Sequence, residues 1–95
     1  MILHTVNKVA PCLDRCMALA SPEDTILLIE EAAYAAAGSD SARGWQEFSA
    51  YNLCVLEDDL AVRGLSATML PEFRAVSWQD FVALAASADK IINWG

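Results

Sequence analysis

The sequence predicts a small three-layer α/β domain built on a mostly parallel sheet of four or five strands. Two observations carry this. Short apolar, β-branched segments alternate with longer helix-like ones. The short segments are also continuous apolar runs without strict polar alternation, as strands covered on both faces require. A chain of 95 residues suits one domain, spanning 1–95.

ILHTV, residues 2–6, reads as the first strand, and Pro11 suits the first turn of a helix running to about Ala20. Ser21-Pro22-Glu23-Asp24 breaks that helix. TILLIE, 25–30, is a strand apolar on both faces, and EAAYAAAG is an alanine-rich helix ending at Gly38. GSDSARGWQEFSA, 38–50, is the most polar and glycine-containing stretch, which predicts a loop with a short helical turn around Trp45 to Phe48. YNLCVL, 51–56, is the third strand. EDDLAVRGL then places acids at a helix start, an i,i+4 pair between Asp59 and Arg63, and Gly64 as the stop. FRAV supplies a fourth short strand, WQDFVALAASA a further helix, and KIINW a terminal strand or extended tail. Leu3, Ile26, Leu28, Leu53 and Val55, on the central strands, are expected to be buried.

Composition removes several function classes. Six basic against thirteen acidic residues give a formal charge of −7, with no stripe of Lys and Arg to grip a phosphate backbone, so no direct nucleic-acid partner is expected. MILHTVNK carries no basic leader ahead of a long apolar run, and Glu30 and Glu31 interrupt the most hydrophobic window, so the expectation is a soluble, cytosolic chain without a membrane span. V-N-K-V-A-P after the first strand contains no glycine to cradle a nucleotide phosphate. The single histidine and three cysteines lack zinc spacing, so no cofactor and no metal is expected. A 56% hydrophobic content exceeds what one small core absorbs, which favours assembly with partner subunits.

The remaining chemistry lies in a few side chains. Glu57, Asp58 and Asp59 follow a strand, where carboxylates either hold a cation or serve a helix N-terminus, and the latter role is preferred. Glu30 and Glu31 end the second strand at the carboxyl edge, but adjacent residues point to opposite sides. His4, inside the first strand, reads as a hydrogen-bonded structural histidine more readily than as a catalytic base. Cys54, in mid-strand, reads as a small buried hydrophobe. Cys12 and Cys16, four apart in the first helix beside Arg15, are candidates for thiols whose pKa the helix dipole lowers, although either also suits packing.

Four blocks together, ILHTVNK, DTILLIEEAAYAA, CVLEDDLAVRGL and FVALAASADKIINW, resemble the DsrH/TusB family of sulfur-relay subunits along nearly the whole chain. The resemblance implies a DsrE-like fold. It also implies assembly with DsrE/TusD-type and DsrF/TusC-type subunits into a dimer of heterotrimers that hands persulfide sulfur to a downstream sulfur-carrier protein. The destination is either 2-thiolation of the tRNA wobble uridine or dissimilatory sulfur oxidation. In such complexes the main acceptor cysteine belongs to the DsrE/TusD subunit, which makes this chain a structural or accessory subunit. Some DsrH-type members carry a cysteine in the first helix, and Cys16 falls at that position, so the alternative is Cys16 as a covalent sulfur carrier. Trp94, near the end of the chain, is the candidate anchor, docked on the domain or used at an interface.

Overall fold

A computed structural model describes residues 1–37 and 45–95. Five strands, β1 (Ile2–Val6), β2 (Thr25–Leu28), β3 (Asn52–Leu56), β4 (Arg74–Val76) and β5 (Lys90–Trp94), form one sheet in the order β4-β3-β2-β1-β5, and every neighbouring pair is parallel. The expected parallel α/β architecture is therefore present, and the terminal KIINW segment is a full strand paired along β1.

Strand order decides which face each helix covers. From β1 through β2 and β3 to β4 the chain steps steadily in one direction, so right-handed crossovers place all three connections on the same face. These connections carry α1 (Asp14–Leu19), a 3₁₀ helix at Glu30–Ala36 and α2 (Glu57–Val62). The step from β4 back across the sheet to β5 reverses direction, and its helix α3 (Trp78–Ser87) lands alone on the other face. The core divides accordingly. Val6, Leu13, Cys16, Ile26, Leu28, Leu53, Val55 and Leu60 pack on the three-connection side, and Leu3, Leu27, Cys54, Leu56 and Val76 pack beneath Phe81, Leu84, Ala85 and Ala88. Leu3, Ile26, Leu28, Leu53 and Val55 are all buried, as expected of strands covered twice.

Two helices differ from the sequence expectation. The first begins at Asp14, after an irregular turn at Val9–Leu13 in which Ala10 is extended and the Ala10–Pro11 bond is cis. A residue before proline is sterically kept out of the α region, so Ala10 is extended, and Cys12 lies in the turn that leads into α1. The alanine-rich segment winds as a 3₁₀ helix and stops at Ala36; Ala37 is extended and bridges to Met69. Its burial explains the tighter winding. Ala32, Ala33, Ala35 and Ala36 are buried while Glu31 and Tyr34 are exposed, a period of three that only three residues per turn keeps in register. Gly38, the expected stop, and the loop expected after it up to residue 44 lie outside the described residues; the helical turn at Trp45–Phe48 is present.

Other ends follow the sequence closely. Gly64 sits at φ +67° beyond α2, with the Leu65 N–H donating to the Leu60 carbonyl at 2.8 Å and the Gly64 N–H to Ala61 at 3.2 Å. Those two bonds satisfy the orphan carbonyls of the last turn as a Schellman cap. Ser77 and Asp80 cap the start of α3 reciprocally: the Asp80 N–H donates to Ser77 Oγ and the Ser77 N–H to Asp80 Oδ2, each at 3.1 Å.

Candidate functional site

Cys16, the candidate carrier thiol, points inward. It is 0% exposed in the core beneath α1, and burial, aided by the nearby Asp24 carboxylate, pushes its pKa up to about 12. The expectation of a thiol activated by its position and by Arg15 is corrected. Arg15 lies on the exposed side of α1, one residue round from a cysteine that faces the sheet, and α1 is only six residues long. Desolvation penalises a buried thiolate far more than a short helix rewards it. Cys12 is half-buried against the same core.

Cys54 packs on the opposite face at 1% exposure. Burial raises its pKa, and the Arg74 guanidinium, 3.9 Å from Sγ, only partly opposes that. Cys16 and Cys54 are thus both held as thiols, on opposite sides of the sheet.

Of the acidic candidates, Asp59 is engaged by the backbone. Asp59 Oδ2 accepts the Glu30 N–H at 2.7 Å, and its Oδ1 accepts from Arg63 at 3.2 Å, the predicted i,i+4 pair. Glu30 stands at φ +51° where β2 turns into the 3₁₀ helix, so Asp59 supplies the acceptor for the first N–H of that helix from across the sheet edge. Glu31, Glu57 and Asp58 are exposed. Among the described residues, no group of three or more His, Cys, Asp or Glu is placed to hold a metal ion.

Three polar side chains do converge. His4 is 1% exposed; its Nε2 lies 3.0 Å from Asp24 Oδ2, and its Nδ1 lies 3.1 Å from Trp94 Nε1. An indole N–H can only donate, so Nδ1 carries the lone pair and Nε2–H donates to Asp24. Asp24 also accepts the Ser21 N–H at 3.0 Å on Oδ2 and the Ile2 N–H at 3.2 Å on Oδ1. Burial works to raise the Asp24 pKa, but the bonds from His4, Ser21 and Ile2 outweigh it and hold the carboxyl below its ordinary value. His4 is thus the hydrogen-bonded strand histidine that the sequence suggested. Trp94 docks on its own domain, opposite Val6 in the β1–β5 register. In the sequence Asp24 shows only as part of a helix-breaking turn, because nothing in its spacing marks the fold that brings it to His4.

A parallel five-strand sheet with three connections on one face and a lone return helix on the other defines a small α/β domain of the DsrE-like fold. The crystal structure of the YchN protein from E. coli matches it with a TM-score of 0.66, over 98% of each chain, at 13% sequence identity. No curated protein matches by sequence. The family model described as DsrH like protein matches residues 9–91, and the chain belongs to that family. Membership makes it, in general terms, a subunit of the sulfur-relay type. Among the described residues, no helix is long and apolar enough to cross a membrane.

Proposed function

We infer that this chain is an accessory subunit of a cytosolic persulfide relay, shaping a complex whose acceptor cysteine lies on a neighbouring DsrE/TusD-type subunit. The observation that carries this is the burial of Cys16: a sulfur acceptor must present a thiolate to its donor, and this thiol is inside the core and held protonated. The ten residues of α3 include none that is buried, and Trp78 and Val82 on it are largely exposed, which supports assembly with DsrE/TusD-type and DsrF/TusC-type partners. Of the two destinations open to such a relay we take tRNA wobble-uridine 2-thiolation, by way of a downstream sulfur-carrier protein. A charge of −7 fits a subunit that leaves the tRNA to others.

The test is transfer of labelled sulfur through the co-expressed complex carrying Cys16→Ala, with Cys12→Ala beside it. Transfer near wild type in both supports the accessory role. Abolished transfer by an intact Cys16→Ala complex overturns it. Deleting the subunit in its host should lower 2-thiouridine in tRNA; a loss of sulfur oxidation with thiolation intact assigns the other branch.

A further inference from the structure

Trp94, His4 and Asp24 form a hydrogen-bonded chain across three neighbouring segments: the end of edge strand β5, the middle of β1 and the turn before β2. Main-chain bonds to β1, including Asn7 N–H to the Trp94 carbonyl at 3.3 Å, and the Thr5 hydroxyl donating to Asn93 Oδ1 at 3.0 Å hold β5, and the indole contact is the side-chain tie at its last residue. The indole and imidazole planes lie 26° from parallel, with centroids 6.3 Å apart. One link in this chain depends on protonation. Trp94 can only donate, so the contact exists only while Nδ1 is unprotonated.

The geometry points to an acid-sensitive latch: a proton taken up by His4 at Nδ1 turns that atom into a donor, expels the Trp94 indole, and loosens the carboxyl-terminal end of β5. The charged imidazole keeps a partner, because Asp24 Oδ2 still accepts from Nε2 at 3.0 Å, so protonation moves Trp94 and leaves His4 and Asp24 joined. Each element packed around His4 brings its own titratable groups. α1 brings the buried Cys16 thiol, held protonated, while its charged residues Asp14 and Arg15 lie on its exposed side. On β5 the facing group is the indole. At the amino edge, Asp24 is covered by the Ser21 and Ile2 N–H groups, and Glu23 is exposed, with its charge reaching the Met1 amine, which is paired to Asp89.

The experiment is a pH titration from 8 to 5 of the intact ¹⁵N-labelled chain by NMR, following the three indole N–H signals and the His4 ring protons. The expected result is that the Trp94 indole moves with the same midpoint as the His4 ring, while the Trp45 indole, donating to the Ala35 carbonyl at 3.1 Å, stays put. Two results overturn the latch: His4 titrating while the Trp94 signal remains fixed, or His4 failing to titrate with the fold intact. The His4→Asn variant keeps an acceptor but no titrating ring, so its Trp94 signal should be independent of pH. Persistence of the wild-type transition in that variant would assign it to another group and overturn the inference. Should the variant fail to fold, the paired midpoints in the wild type decide alone.

Discussion

Asp59 and Glu30 tie together two connections that leave adjacent strands: the Asp59 carboxylate accepts the Glu30 N–H at 2.7 Å across 29 residues of sequence. Replacing Asp59 by Ala removes that acceptor and the Arg63 partner together, with an expected cost of about 1–2 kcal/mol, in line with loss of a helix cap. Arg63→Ala removes the partly buried ion pair and the bond from Arg63 to the Asp59 carbonyl at 3.5 Å but leaves the Glu30 acceptor, and should cost less than ~1 kcal/mol. Urea unfolding of the two variants measures both; equal losses would mean that the cap contributes nothing.

Thiol accessibility should rank Cys12 ahead of both other cysteines. With Cys16 pushed up to about 12 and Cys54 also raised, iodoacetamide at pH 7.5 should label native Cys12 at least ten times faster than either. The contrast should vanish in denaturant. Mass spectrometry of timed digests reads all three sites, and fast labelling of native Cys16 would contradict its burial.

Gly64 holds φ +67° with open space where a Cβ would stand, so Gly64→Ala should cost only the left-handed backbone penalty, about 1–2 kcal/mol. Gly64→Asn should cost less, because Asn tolerates that region. A penalty for Ala well above ~2 kcal/mol would require a clash that the geometry does not contain.

Asp24 should shape the acid limb of stability. Its native pKa is lowered, so its contribution is fully present above the unfolded value of roughly 3.9 and is lost as pH falls through the lower native value. Asp24→Asn should therefore be clearly less stable than wild type at pH 6, and the gap should narrow as pH falls toward 2. A gap independent of pH, from urea midpoints across that range, would show that the ionised form brings no stability of its own.

The strands were legible because their signal is local. TILL and NLCVL are apolar without alternation, and Gly64 marks its cap whatever surrounds it. The sequence marks the alanine segment only as helical, because propensity favours alanine in any helix; the period-three burial that selects the 3₁₀ form depends on what lies beneath Ala32 and Ala35. Cys16 shows the same limit at the site. Its place near a helix start is visible in the sequence, but which way a six-residue helix turns its faces is settled by packing, and packing turned the thiol inward. Asp24 needed the β1–β2 register before it could be joined to His4.

The pairing of β1 with β5, Ile2 against Lys90 through Val6 against Trp94, has a consequence for how the molecule is made. One flank of β1 meets β2 after about twenty residues of sequence, but the other finds its partner only 88 residues on, in β5. Such non-local closure adds loop entropy to the folding barrier and slows the search for the native state. A ribosome would deliver β1 through β4 while that flank of the most buried sheet region still shows its unpaired amides, an edge open to the wrong neighbour. β5, the last of the five strands in sequence, therefore finishes the sheet.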